Sequence, residues 1–320
     1  MTEGESAAPG KSVLVTGGAG FIGSHLVDRL VADGHRVTVY DNLSLGRREL
    51  VEPALQRGAT LVVADVLDLE RLESAMRGHE VVWHLAANSD IRQGTRSTRL
   101  DLEQGTLATY NVLEAMRRTG AAGIRFASSS VVYGEPDRFP TPEDHGPLLP
   151  ISLYGAAKLA AEGLITAFVH CHGLRAHIFR FANIIGPRST HGILHDFAAK
   201  LRADPTRLEV LGDGTQQKAY LGVDDCVEAM LFVEANAHAP VNLYNLGTGD
   251  SVTVARIAEL VRERWTGGRA ALCYTGGDRG WAGDVPRMLL DVSRLARLGW
   301  RARRGSEAAV QLALSQLPPP

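Results

Sequence analysis

Cysteine is scarce. Cys171, Cys226 and Cys273 are the three in 320 residues, and none stands in a CxxC pair. That excludes a disulfide framework and a paired-cysteine zinc site, and the thiols read as reduced. The triplet His170-Cys171-His172 is no metal motif either, because adjacent residues on a helix do not face one site. Net charge is equally sparse: 34 basic against 36 acidic residues leave a formal −2. Such a balance gives no electrostatic case for a nucleic-acid or membrane partner. The basic run Arg301-Ala302-Arg303-Arg304 reads as a solvated face. No apolar run reaches the ~18 residues that span a bilayer. The opening MTEGESAAPG is small and polar, a loose tail without the pattern of a signal peptide, so the expected location is the cytoplasm. What is present, 45% apolar and 22% charged residues, suits a soluble globular chain with a sizeable core.

The first half alternates short β-branched runs with helical patterns. Residues 12–17, 35–41, 59–66, 80–87, 123–130 and 175–182 read as buried strands. Helical stretches at 21–34, 68–77, 99–119 and 153–172 separate them. Continuous apolar strands joined by helices predict an α/β fold with a doubly wound parallel sheet, the Rossmann arrangement. Beyond residue 183, helices near 191–203, 224–236, 253–265 and 306–316 mix with short strands. We expect a dinucleotide-binding domain over 1–182 and a smaller α/β substrate-binding lobe over 183–320, with parts of 216–250 returning to the first.

The segment VLVTGGAGFIG ends a strand and opens a helix, with Gly17, Gly20 and Gly23 spaced three apart. A tight turn, close approach of backbone to a pyrophosphate and close helix packing all need glycine there. Asp41 ends the next strand, where an acid accepts hydrogen bonds from the adenosine ribose and repels a 2′-phosphate. That predicts NAD rather than NADP. Phe21 and Ile22 belong to the same turn, and Asn42, Ser44 and Gly46 to the loop after Asp41. Asp65 and Val66 end the third strand beside the adenine. Leu85, Ala86 and Ala87 end the fourth, where small residues let the dinucleotide lie against the sheet.

Tyr154 and Lys158 stand at i and i+4, on one helix face. An ammonium beside a phenol, with the positive nicotinamide of oxidised NAD, favours the phenolate. That group then accepts a proton from a substrate hydroxyl while the carbinol hydride leaves, and Lys158 also anchors the nicotinamide ribose. The run SSSVVYG (128–134) ends the fifth strand and offers a hydroxyl to the same substrate oxygen.

These motifs, with YDNLS, NIIGPR, GDGTQQKAYLGVDD, NLGTG and GWAGDV, resemble the extended short-chain dehydrogenase/reductases. Within that superfamily they are similar to nucleotide-sugar epimerases of the UDP-galactose 4-epimerase type. The resemblance runs from Lys11 to about Trp300. It implies Ser129 as the hydroxyl partner of Tyr154 and Lys158. It implies that Asn183 and the segment after it hold a substrate diphosphate, and that Val210 through Gln216 hold the uridine. Lys218 stands where the family carries an arginine, so the charge survives and the bidentate fork does not. Arg279 is then the candidate phosphate ligand, with Asp284 near the ribose. The family often reads Asn-Val-x-Gly-Thr where this chain has Gly-Thr-Leu-Ala-Thr at 105–109, so Gly105 replaces an asparagine of the active-site surroundings. Family members commonly pair through two helices, here 99–119 and 153–172, which implies a homodimer.

The resemblance also bears on the reaction. Dehydratases of the superfamily place Asp-Glu after the catalytic hydroxyl residue, and decarboxylases carry a glutamate two residues before the tyrosine of VYG. Here those positions are Ser130 and Val131, neither an acid. The expected reaction is NAD-dependent 4-epimerisation of a UDP-hexose through a 4-keto sugar. The alternatives are a decarboxylase, a dehydratase or a non-catalytic dinucleotide sensor. Two sugar pairs stay open: UDP-glucose/UDP-galactose, or UDP-glucuronate/UDP-galacturonate read by Arg92 or Arg188 with Ser128, Ser129 and Ser130.

Overall fold

The computed structural model describes residues 10–320 except Ala282; the side chains of Arg92 and Thr95 also lie outside the described set. Seven parallel strands form the main sheet: β1 (Ser12–Thr16), β2 (Arg36–Asp41), β3 (Thr60–Val63), β4 (Val81–His84), β5 (Gly123–Ser129), β6 (Arg175–Phe181) and, late in the chain, Val241–Leu246. The spatial order is Val241–Leu246, β6, β5, β4, β1, β2, β3. The order reverses between β1 and β4, and in such sheets the crevice beyond the strand ends at that point receives the ligand.

Both faces of the sheet are covered, which is why the strands read as unbroken apolar runs. Alternate side chains go to opposite faces. Val13, Val15, Trp83 and Phe179 pack under α1 (Phe21–Ala32) on one side. Leu14, Val82, Ile124 and Ile178 face the other, against residues of 69–76, 108–119 and 153–172. The helices of this half follow α1 in order: α2 (Glu52–Leu55), which packs on the α1 side, α3 (Leu69–Met76), α4 (Ile91–Arg96), α5 (Thr98–Asp101), α6 (Ala108–Thr119) and α7 (Leu153–His172). Trp83 and Phe179 stack at 6.2 Å across the sheet.

The remaining chain builds a lobe over the strand ends. β7 (Asn183–Ile185), α8 (Ile193–Ala203), β8 (Arg207–Val210), β9 (Gln217–Lys218) and β10 (Tyr220–Gly222) come first. The chain then returns to the main sheet through α9 (Val223–Asn236), which packs on α1, and through β11 (Val241–Leu246). It leaves again through β12 (Val252–Thr253), α10 (Val254–Thr266), β13 (Ala271–Tyr274), β14 (Arg287–Met288), α11 (Ser293–Leu298) and α12 (Ser306–Gln316). The lobe has its own core of Leu194, Phe197, Leu208, Ile257 and Val310. Among the described residues, no helix is long and apolar enough to cross a membrane.

The helix expected over 99–119 runs without a gap from Thr98 to Thr119 but widens in its middle. Between α5 and α6, Leu102–Leu107 forms a π-turn, and π-turns inside helices occur frequently at functional sites. Gly105 sits in it, and a Cβ there would fall 2.7 Å from the Cβ of Ala157 on α7. The missing side chain therefore sets how closely this segment approaches the helix that carries Tyr154. Gly105→Ala should destabilise the fold by about 1–3 kcal/mol, the range for overpacking a filled interior. Ala157→Gly in the same chain should recover part of that loss, because it removes the colliding methyl. Denaturant midpoints of the two single variants and the double variant test this; additive losses would contradict it.

Candidate functional site

A single cleft of about 860 Å³ runs from the ends of β1 and β2 across β4 and β5 into the lobe. Its first part is a dinucleotide cradle. Gly17 has φ +69°, and a Cβ on it would lie 2.6 Å from the amide nitrogen of Ala86. Gly23 packs beneath it: its Cβ would be 2.2 Å from the Gly17 carbonyl oxygen. These contacts are the physical reason for glycine at both sites, and they bring bare backbone to the opening of α1, where an anion binds well. Gly20, Phe21 and Ile22 line the cleft beside them. The Asp41 carboxylate accepts the N–H groups of Ala19 (3.0 Å) and Leu43 (2.8 Å). Burial pushes its carboxyl up, and the two backbone N–H groups oppose that. Gly46 lies so close that a Cβ would be 2.7 Å from an Asp41 oxygen, so the loop folds directly over the acid. Asn42, Ser44, Val66, Leu85, Ala86 and Ala87 complete this wall. Asp65 does not reach it. Its carboxylate accepts from the Asn42 amide (2.8 Å) and the Leu67 N–H (2.9 Å), so it braces Asn42 while Ala64 and Val66 face the cleft.

The second part is the wall made by β5 and α7. Ser152 caps α7 by accepting the Gly155 N–H at 3.1 Å, a common device for opening a helix. Tyr154, Lys158 and Glu162 then follow at i, i+4 and i+8. Lys158 is 3% exposed, and its ammonium donates to the Ala127 carbonyl at 2.7 Å, 4.7 Å above the Phe126 ring and 5.6 Å from the Tyr154 ring. Burial pulls the Lys158 ammonium down to about 8, while Glu162 and Asp101 work the other way. Burial pushes the Tyr154 phenol up, and the Asp101 charge adds to it. Ser129 ends β5, and its hydroxyl oxygen accepts the Val131 N–H. Ser129, Tyr154 and Lys158 all line the cleft. His84, also buried, bridges the hydroxyls of Thr16 (2.7 Å) and Thr109 (3.1 Å). Burial, with Lys158 nearby, holds its imidazole down at about 3, so it stays neutral.

Glu162 is a residue the sequence reading missed, although its place on the Tyr154–Lys158 face was a usable signal. It holds Arg180 with both oxygens (3.0 and 2.7 Å) and accepts the Ser128 hydroxyl at 2.5 Å. Arg180 lies over the Tyr133 ring at 4.7 Å. Ser128 lines the cleft, and its hydroxyl proton is committed to Glu162. Ser130 is buried at 8% exposure, opens a short turn over Ser130–Tyr133 and borders the cleft with Val131.

The third part is the lobe. Asn183, Gln216, Lys218 and Asp284 line the cleft. Asn183 donates to the Ala219 carbonyl at 3.2 Å. Lys218 is ion-paired with Asp284 at 2.7 Å and also donates to the Val285 carbonyl. Val210 is fully buried in β8, and its neighbour Leu211 faces the cleft instead. Arg279 is not on the cleft surface: it pairs with Glu135 at 2.5 Å and donates to the Asp284 carbonyl, while Gly280 and Trp281 line the space. Arg188 also departs from the expectation. With φ +65°, it sends its guanidinium to Asp28 on α1 at 2.8 Å and to the Leu50 carbonyl, away from the cleft. Arg92 lies on α4, and its side chain falls outside the described residues. His191, His195, Tyr220 and Trp281, none of them singled out from sequence, line the lobe end of the cleft.

Comparison with known proteins agrees with this arrangement. Residues 13–247 match the model of the NAD dependent epimerase/dehydratase family. The putative UDP-glucose 4-epimerase of Methanocaldococcus jannaschii is 33% identical over 90% of this chain and 92% of its own. The UDP-glucuronic acid decarboxylase 1 of Xenopus tropicalis is 31% identical over 91% of this chain and 68% of its own. Among solved structures, a UDP-galactose 4-epimerase superposes with a TM-score of 0.86 at 42% identity, covering 95% of this chain and 98% of that one. With its glycine cradle, Asp41 and the Ser129–Tyr154–Lys158 wall on one cleft, the chain belongs to the NAD dependent epimerase/dehydratase family, among the nucleotide-sugar enzymes of the extended short-chain dehydrogenase/reductase type.

Proposed function

We propose that this protein interconverts UDP-glucose and UDP-galactose by inverting C4. The observation that supports it is the company of Tyr154, Lys158 and Ser129 on the cleft wall. The two positions beside them that would assist a different outcome are Ser130 and Val131, and neither carries an acid. NAD held by the glycine cradle and Asp41 would supply the acceptor and donor for the C4 hydride and a positive ring beside this wall. Tyr154 accepts the O4 proton and keeps it within reach of the same oxygen. Ser129 donates to O4 as it becomes a carbonyl, which stabilises the developing charge. Lys158 supplies the positive field that makes the buried phenol acidic enough to act. A 4-keto sugar formed here has no acid at Ser130 or Val131 to expel its C6 hydroxyl. Turning over and returning to the alcohol is then the simplest fate.

Two of the supports for a uronate substrate are gone, since Arg188 is paired with Asp28 and the Ser128 hydroxyl with Glu162. Incubation with UDP-glucose, UDP-galactose and UDP-glucuronate, read by NMR, tests the reading. We expect a mixture of the two neutral sugars from either one. A UDP-pentose from UDP-glucuronate, or a 4-keto-6-deoxy product, would assign the chain to another branch of its family.

Tyr154→Phe should keep the ring and the cofactor and lose turnover by ~10²–10⁴, the usual worth of a general base. The pH dependence carries its own sign. Lys158 is charged below about 8 and neutral above it, and the phenolate needs that charge. kcat/KM should therefore fall as pH rises through this region. Turnover of Tyr154→Phe within about twofold of the parent, or an alkaline limb that persists unmoved in Lys158→Met, would contradict these roles.

We infer a homodimer formed through the 98–119 segment and α7. Leu102, Leu107, Tyr110 and Leu153 are large apolar side chains left 42–52% exposed on those two elements, a concentration that calls for a partner surface. The reaction is placed in the cytoplasm, where the free thiols of Cys171, Cys226 and Cys273 stay reduced. Sedimentation at micromolar concentration should give twice the 34.4 kDa chain mass; a monomer would refute the pairing.

A further inference from the structure

The wall that carries Tyr154 also holds a carboxylate with no assigned task. Asp101 ends α5 and is 2% exposed. One of its oxygens accepts from the Asn88 amide at 3.0 Å, and the other, Oδ2, is buried without a hydrogen-bond partner among the described residues. Its position is fixed from two sides. A Cβ on Gly94 would lie 2.0 Å from Oδ2 and 3.8 Å from the Cβ of Leu153, so the carboxylate is wedged between α4 and the residue before Tyr154. One turn further on, Gly105 sits against Ala157, which keeps the segment in register with α7.

Most of the surrounding charges are committed elsewhere; Asp90, just before α4, has a partner of its own, and the Arg92 side chain lies outside the described residues. On α7, Lys158 has one hydrogen bond, to the neutral Ala127 carbonyl. Glu162 is committed to Arg180 of β6 through both oxygens. His84 of β4 is neutral. On the segment itself, Arg99 and Glu103 pair with each other at 2.5 Å near solvent, and Arg96 of α4 is exposed. Glu162 and Asp101 are the two carboxylates whose charge reaches Lys158, and among the described residues Asp101 is the one of the two that no cation pairs.

We propose that Asp101 is a positioning residue of the active site: its carboxylate is the counter-charge of Lys158 and, through the same field, restrains ionisation of the Tyr154 phenol. The proposal rests on Tyr154 as the proton carrier and adds what sets its working range. The direction of both effects follows from charge alone. An anion nearby keeps Lys158 protonated to higher pH and makes the Tyr154 phenolate harder to form, and the shifts of both groups include this contribution from Asp101. Removing the anion should move both titrations to lower pH.

The test is a titration of the NAD-loaded enzyme followed by phenolate absorbance near 295 nm, with Tyr154→Phe as the blank. In Asp101→Asn, the Tyr154 midpoint should fall by about half a pH unit or more, the lower end of what a neighbouring charge does. The alkaline limb of kcat/KM should move the same way. Asn88→Ala breaks the hydrogen bond to Asp101 and leaves the charge, so its midpoint should coincide with that of the parent. Should Asp101→Asn fail to fold, Asp101→Ser removes the charge without adding bulk and is read identically. A midpoint unchanged in the neutral variants, with stability or kcat lowered at every pH, would make Asp101 a structural spacer and overturn the proposal. No sugar enters the titration, so that result would leave the epimerase reading standing. Absence of any Tyr154 signal up to pH 10 in the parent would overturn the proposal and the phenolate reading together.

Discussion

An ammonium taken out of water costs several kcal/mol unless the protein replaces its hydration. Lys158 is such a group, and the site is arranged around it. Its one hydrogen bond goes to Ala127, the third residue from the end of β5, and this ties α7 to the strand that ends in Ser129. One turn later, Glu162 accepts from Ser128 on the same strand and clamps Arg180 on the next one. The stripe Tyr154–Lys158–Glu162 is therefore fastened at two points to two adjacent strands. The relative placement of phenol and serine hydroxyl follows from that docking.

The Arg180–Glu162 pair is nearly dry, with side chains 4% and 8% exposed. A pair of this kind is weak evidence of net stability. Removing one partner, however, leaves the other charge buried and costs about 3–5 kcal/mol. Its value here is geometric: two forked bonds in a low-dielectric interior hold α7 against β5 and β6 more rigidly than apolar contact does. The neutral His84, bridging Thr16 and Thr109, does the same for β1, β4 and α6.

Much of this was legible in the sequence, for definite reasons. Parallel strands buried on both faces show as unbroken apolar runs, so each main-sheet strand of the first half was marked within a few residues. The glycine spacing and Asp41 follow from steric and electrostatic needs local to a few residues, and Tyr154 and Lys158 from helical spacing. Other features depend on directions that sequence does not carry. Arg188 directly follows NIIGP in the chain, but its left-handed backbone turns it to Asp28. Ser128 and Ser129 are neighbours on a strand, and the pleat sends them to different partners. Lys218 and Asp284 are far apart in sequence, and their pairing appears once β9 and β14 lie side by side. The π-turn at Leu102–Leu107 leaves the apolar pattern almost unaltered, and the close approach of Gly105 to Ala157 is a tertiary contact.

The central claim is that a hydride and a proton both leave the sugar and both come back to it within this closed wall. Deuterium placed at C4 of UDP-glucose tests it directly. Incubated with the enzyme in ordinary water beside an excess of unlabelled NADH, the label should be found at C4 of the UDP-galactose formed, undiminished after many turnovers. Loss of the label to the added NADH pool or to solvent would mean that the hydride escapes, and that Tyr154, Lys158 and Ser129 serve some other reaction.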